Sequence, residues 1–324
     1  MSDSDRPLVS IGIPTYNRAN RNLHAVIKRA LGQSYANVEV IVSDNCSSDG
    51  TPKLVSSFDD SRLRYFRQET NIGPINNFNY CLNQARGEYF LLFHDDDMID
   101  EDFVETCIAA LTPGQEVGVV FTGIRIIDEH DCVKREYENR ASGLTPPDFI
   151  LGWFEGKVSL YLCSTLYHAE KLRIVGGFHS AKDLFDDLVP TFTLVAKEGR
   201  VDVAAVKASF RRHSGSGGSA MPISDWIGDS HYLLETIYSL FPEERATLEK
   251  QGMRYFCRKM YWYASAREGF AQRLKDYAQI YRSFGYSYSP FSYLYERSKN
   301  RVVGIVRRTI AASRDGHTGN SQQE

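Results

Sequence analysis

Three consecutive carboxylates, Asp95, Asp96 and Asp97, follow an apolar run that starts at Tyr89. Two like charges at about 4 Å cost ~1 kcal/mol in water and several times more in a partly desolvated cleft, so a packed triplet calls for a neutralising partner. A divalent cation fits: Mg²⁺ and Mn²⁺ are hard ions suited to carboxylate and phosphate oxygens. The competing reading is a solvated turn ahead of a helix. It accounts for Asp100, Glu101 and Asp102, since acidic residues favour a helix N-terminus. It accounts less well for a triplet at a strand exit, where open α/β sheets put their ligands.

The elements before the triplet decide what else can reach it. "PLVSIGIPTYNR" reads as a strand and polar turn, "NLHAVIKRALGQ" as an amphipathic helix, and "VEVIVSDNCSSDGTPKLVSSF" repeats the plan. "LRYFRQ" is a third strand, and "NIGPINNFNYCLNQARG" a Gly-Pro turn, a helix and a glycine stop. This alternation predicts a mostly parallel, doubly wound sheet with helices on both faces. Its strand ends converge on one edge, which brings Thr15, Tyr16 and Asn17, then Asp44, then Asn71, then Asp95, Asp96 and Asp97 to one cleft. Each residue alone has a structural explanation: Asn and Asp make turns, and Tyr16 can cover a sheet edge. The coincidence at four successive strand ends points to a site.

Beyond residue 112 the pattern loosens. A strand with a hairpin-like return is expected over "EVGVVFTGIRIIDEHDCVKREY", and a strand, short helix and Gly-Gly turn over "VSLYLCSTLYHAEKLRIVGGF". "AKDLFDDLVPTFTLVAKEGR" reads as an acid-led helix with a proline interruption, and "VDVAAVKASFRRHSGSGGS" as a pair of strands and a flexible Gly/Ser loop.

The chain has 324 residues, 42% of them hydrophobic, and a formal net charge of −3. That supports a packed globular protein and gives no reason to expect nucleic acid as a partner. Six cysteines without Cys-x-x-Cys spacing, and no signal-like N-terminus, predict reduced thiols and a cytoplasmic location.

Taken together, "VSIGIPTYNR", "VEVIVSDNCSSDGT", "NIGPINNFN", "RGEYFLLFHDDD", "VGGF", the Asp-Asp at 186 and the "RRH" ending at 213 resemble a family 2 glycosyltransferase of the GT-A fold. The resemblance implies a Rossmann-like catalytic domain over residues 1–218; the aromatic-rich stretch over 219–312 reads as a helical subdomain and the polar 313–324 as a disordered tail. The resemblance also implies transfer of one sugar from a nucleotide-diphosphate donor, UDP by default with dTDP or GDP open, to an acceptor hydroxyl with inversion. Thr15 and Tyr16 would line the base and ribose pocket and Asp44 would bond the base. Asp95 would lie near the ribose and Asp97 on the Mn²⁺ or Mg²⁺, with Asp96 in the variable middle position. Asn71 and Gly73 look like the family's Asn-x-Gly turn. Asp187 matches the catalytic base with Asp186 as its orienter, although a one-residue ambiguity leaves Asp186 open for that role. His213 would contact the diphosphate or metal, with Arg211 or Arg212 as counter-charges. The chain departs from the family's common pattern in carrying Phe78 where many members have arginine, and Asp-Asp in place of Glu-Asp. It lacks the Gln-x-x-Arg-Trp motif of processive members, which implies one sugar per acceptor.

The acceptor implied is a glycan or a lipid-linked saccharide, as in bacterial cell-surface polysaccharide or O-antigen assembly. The basic, apolar stretch over 293–312 suits peripheral contact with an anionic membrane and equally an ordinary solvated helix face. Two rival functions are a catalytically silent sugar-nucleotide binder, which predicts a broken Asp-x-Asp, and a nucleotidylyltransferase, which predicts a Gly-rich basic turn after the first strand. Neither prediction matches the sequence.

Overall fold

The computed structural model describes residues 6–112, 114–212, 221–267 and 269–299. His213, the Gly/Ser loop after it, residues 300–312 of the basic stretch and the 313–324 tail lie outside the described residues. The chain divides into two compact units, residues 1–249 and 250–324.

The first unit is built on one sheet. β1 (Val9–Thr15), β2 (Val38–Asp44), β3 (Leu63–Arg67) and β4 (Tyr89–Leu92) form its parallel part in the order β3-β2-β1-β4. Their connections are α1 (Leu23–Leu31), α2 (Thr51–Val55) and α3 (Pro74–Gln84). Helices on both faces explain why β1, β2 and β4 are buried throughout, while the edge strand β3 is only partly covered. Val9, Ile11 and Ile13 share a continuous core with Leu23, Val26 and Ile27 of α1, whereas a Cβ on Gly12 would meet Cys81 of α3 and Phe90 at 2.8 Å. Each fully buried Ile or Leu side chain contributes about 1.5–3 kcal/mol.

After β4 the sheet becomes mixed. β5 (Met98–Ile99) is a two-residue strand, α4 (Phe103–Ala109) follows, and β6 (Val119–Ile127) returns through β7 (Val133–Tyr137) as the expected hairpin. α5 (Pro146–Phe154) opens on Thr145, whose Oγ1 accepts from the Asp148 N–H. A short 3-10 turn at Leu162–Ser164 leads to β8 (Thr165–His168), which lies antiparallel between β4 and β6, and then to α6 (Ala169–Ile174).

Two expectations are corrected here. α7 spans Leu188–Lys197, so Pro190 lies in its first turn, where an amide N–H has no intrahelical partner anyway, and does not interrupt it. The expected pair of strands after Gly199 is one strand, β9 (Arg200–Arg211), parallel to β6 and antiparallel to β5. α8 (Ile223–Leu240) packs against α7.

α9 (Arg245–Ser265) carries the division between units. The second unit continues with α10 (Phe270–Ser283) and a helix over 290–299. Its centre is aromatic: Phe256, Tyr261 and Phe284 are buried, and Tyr261 Oη donates to the Tyr288 carbonyl at 3.0 Å. Among the described residues no helix is long and apolar enough to cross a membrane.

Candidate active site

The parallel register puts the strand ends side by side, with Thr15 opposite Asp44 and Asp44 opposite Arg67. The loops that leave this edge enclose a cleft of about 460 Å³ lined by Thr15, Tyr16, Arg18, Asn71, Phe78, His94, Asp95 and Asp96, among others. Backbone geometry at its rim is specialised: Asn17 and Cys46 both hold φ above +50°, at 55° and 67°. Short polar side chains tolerate that region, and the Asn17 carboxamide accepts from the Ser48 N–H at 2.9 Å.

The expected residues divide into those facing the cleft and those supporting it. Thr15, Tyr16, Asn71, Asp95 and Asp96 line it, and Tyr16 is half exposed. Asn17 ties the first loop to the second, its N–H donating to Ser47 Oγ at 2.8 Å. Asp44 is fully buried beneath the cleft, Oδ1 accepting from the Ser47 N–H at 2.8 Å and Oδ2 from Tyr65 Oη at 2.7 Å. Asn71 Oδ1 accepts from Asn45 Nδ2 and from the Gly73 N–H, both at 2.9 Å, which closes the turn ahead of α3.

The triplet is wired unevenly. Asp95 accepts from Thr15 Oγ1 at 2.7 Å and pairs with Arg18 Nε at 3.4 Å. Burial pushes its carboxyl up to about 6, against the pull of Thr15 and Arg18. Asp97 is only 2% exposed, takes the Arg211 N–H on Oδ1 at 3.0 Å, and touches the Cys163 thiol. Burial and the neighbouring Asp96 charge push Asp97 up to about 8. Asp96 is the carboxylate of intermediate exposure that faces the cleft beside His94.

His94, Asp96 and Asp97 present ligand atoms within 4.8 Å of one another. His94 Nδ1 lies 3.8 Å from Asp97 Oδ2, while its Nε2 is buried without a hydrogen-bond partner among the described residues. Burial lowers the His94 pKa, which keeps the imidazole neutral and able to coordinate. One neutral nitrogen and two carboxylates suit a divalent cation.

Sequence reasoning gave His94 no role and placed Asp96 with the donor-binding residues, not the metal ligands, although a histidine directly before the triplet was the available signal. It also missed Arg18, which stands in "TYNR" and supplies a cation to the cleft. Of the two arginines near 212, Arg211 is the one built into the triplet's support: besides Asp97, it donates through Nε to the Asp96 carbonyl at 2.8 Å and pairs with Asp131 at 2.6 Å. Arg212 is exposed, and its N–H donates to the Ile127 carbonyl. Where arginine was the alternative, Phe78 packs on His94, ring centres 5.0 Å apart.

A second carboxylate pair lies at the start of α7. Asp187 stands at the N-cap position of that helix without a side-chain capping bond, and Asp186 immediately precedes it, with Oδ2 buried and unpartnered among the described residues. Burial first, then the Asp187 charge, pushes Asp186 up to about 8. The turn before it is bound to α3: Asn79 donates to the Phe178 carbonyl at 2.8 Å and accepts its N–H at 2.9 Å. Gly177 holds φ +70° there, and a Cβ would sit 2.3 Å from Asn79 Oδ1, so only glycine fits. His179 N–H then donates to the Asp186 carbonyl at 3.0 Å.

The loop between is held by a residue with no sequence signal. Asp229 of α8 is fully buried and accepts from Ser180 Oγ and from the backbone N–H groups of Lys182, Leu184 and Phe185 at 2.8–3.0 Å. A helix residue 42 or more positions downstream thus fixes the approach to Asp186 and Asp187.

Comparison with known proteins bears on the family and the fold. The profile described as Glycosyl transferase family 2 matches residues 10–167, about half of the chain. A "GalNAc(5)-diNAcBac-PP-undecaprenol beta-1,3-glucosyltransferase" of Campylobacter jejuni is 32% identical over 158 residues, covering 47% of this chain and 50% of that protein. The chain spans about half or less of the length of the curated relatives it matches first. By structure it resembles S. aureus TarS 1-349 in complex with UDP-GlcNAc (TM-score 0.66, 17% identity, 86% of this chain and 81% of that one). It also resembles the mannosyltransferase PcManGT of Pyrobaculum calidifontis in complex with GDP-Man and Mn2+ (TM-score 0.56, 19% identity, 93% and 81%). These likenesses establish the GT-A fold.

Proposed function

We propose that this chain, whose residues 10–167 belong to glycosyl transferase family 2, moves one sugar from a nucleoside diphosphate donor to an acceptor hydroxyl with inversion at the anomeric carbon. The observation that carries the proposal is the strand-end cleft, where a stacking surface, a cation and the donor set of His94, Asp96 and Asp97 meet. Tyr16 and Thr15 hold the base and ribose, and Asp95, steadied by Thr15 and Arg18, orients the ribose. Asp44, held by Ser47 and Tyr65, would accept a base N–H on a remaining lone pair. Asn71 shapes the turn over the base, and Arg18 supplies counter-charge to the phosphates.

His94, Asp96 and Asp97 would hold Mn²⁺ or Mg²⁺, with His213 a further ligand on the strength of the family resemblance. When bound, the cation would neutralise the departing diphosphate. In the transfer, the acceptor oxygen bonds to the anomeric carbon, the bond from that carbon to the diphosphate oxygen breaks, and the acceptor proton passes to the Asp187 carboxylate. Asp186, with a buried oxygen unpartnered among the described residues and the Asp187 charge beside it, keeps a proton near neutral pH.

UDP is the first donor nucleotide to test, and a glycan or lipid-linked saccharide on the cytoplasmic side is the acceptor class. The Campylobacter relative's name, with its undecaprenol-linked acceptor, supports that class. The test is nucleoside diphosphate release from UDP-, dTDP- and GDP-sugars with Mn²⁺ and lipid-linked saccharides, with the product's anomeric configuration read by NMR. One donor class should turn over with inversion. Nucleotide binding without turnover of any donor would favour a silent binder.

A further inference from the structure

The formal charge of −3 conceals a division: residues 250–324 carry fourteen Lys and Arg against five Asp and Glu, a net +9, and residues 1–249 carry −12. Within the second unit, α10 and the helix over 290–299 line a groove of about 720 Å³. Phe270, Leu274, Phe291 and Leu294 are 70%, 52%, 83% and 44% exposed along it, with Arg273 and Arg297 among them. Isolated exposed apolar residues are ordinary, but a contiguous set with cations marks a contact surface.

Charge selects the occupant. A second copy would bring another +9 to the interface, and residues 300–324 bring four arginines against two acidic residues. An anionic bilayer matches both features, hydrocarbon for the Phe and Leu side chains and phosphates for the arginines. We propose that this face docks on an anionic lipid surface, with Phe291 and Leu294 entering the headgroup boundary and Arg273 and Arg297 pairing with lipid phosphates. The proposal stands on the charge division and the groove, and does not require the transferase activity.

Flotation of the full chain with vesicles of phosphatidylcholine alone, or mixed equally with phosphatidylglycerol, tests it. Binding to the anionic vesicles should be on the order of tenfold greater and should fall in high salt. F291S/L294S should reduce binding severalfold, and R273Q/R297Q should reduce it and flatten the salt dependence. Phe291, Leu294 and Arg297 are exposed and Arg273 is half-buried on the surface of α10, so circular dichroism and melting should stay close to the parent chain. No binding to anionic vesicles overturns the proposal. So does binding that F291S/L294S leaves unchanged but duplex DNA abolishes, which would indicate a general polyanion site. A dimer dissociated by F291S/L294S would assign the groove to self-association instead.

Discussion

Two carboxylate groups in the first unit are both pushed above the usual range by burial, yet their surroundings differ. Asp95 and Asp97 are held by donors: Thr15, Arg18 and the Arg211 N–H fix their oxygens, and neutral His94 completes a ligand set. Asp186 has a bare buried oxygen and a charged neighbour in Asp187. The first arrangement presents oxygens that a bound cation would hold in place of protons. The second retains a proton beside a charged neighbour. Burial alone therefore does not assign a carboxylate's role; the donors around it do.

The comparison breaks most clearly at Asp187. Asp187→Asn should lower kcat about 10²–10⁴-fold, the usual worth of a general base, with donor binding unchanged in calorimetry. If Asp186→Asn gave the larger loss, the two roles would be reversed. At the other group, His94→Ala should weaken Mn²⁺ affinity by at least the roughly 10–100-fold that loss of a ligand's supporting partner costs, measured by metal titration of the donor complex. An unchanged metal affinity would remove His94 from the ligand set.

Asp229→Asn should cost about 1–3 kcal/mol of stability, because one carbonyl oxygen cannot replace two that accept three N–H groups and a hydroxyl. It should also lower kcat more than it raises KM, since the loop it holds leads to Asp187. A stability loss with unchanged kcat would confine Asp229 to folding. The smallest effect concerns Asp186 and pH. Its folded pKa of about 8 lies above the ordinary carboxylate value, so the unfolded chain binds fewer protons between those values and stability falls as pH rises through that window. Asp186→Asn should lessen the drop in Tm between pH 6 and pH 9; an equal drop in both proteins would contradict the assignment.

Much of this was legible in the sequence, and the limits have physical causes. β1 to β4 follow from local alternation of apolar strands and amphipathic helices, so their succession along the chain and the meeting of Thr15, Asn71 and Asp95 at one sheet edge could be read directly, with Asp44 buried beneath. The later sheet depends on partners distant in sequence. β5 is only Met98–Ile99 and exists because β9 pairs with it, which no local pattern announces. Pro190 looked like a break because the helix start was placed before Asp186 instead of after Asp187. Spacing identified the acidic triplet but not which carboxylate faces out. That choice depends on the Arg211 amide, 114 residues away, claiming Asp97 from below. Asp229 is an ordinary polar position on an amphipathic helix until the loop over 180–185 closes on it.

The central claim is that the acidic cluster is completed by a divalent cation and a nucleoside diphosphate together. Its most direct test is calorimetric titration of UDP, dTDP and GDP into the full chain, with and without Mn²⁺, alongside Asp96→Ala. One nucleotide should bind in the presence of Mn²⁺, weakly or not at all without it, and the variant should lose that metal-dependent gain while remaining folded. Binding of equal strength with and without Mn²⁺, or no binding by the folded parent chain in either condition, would contradict the account.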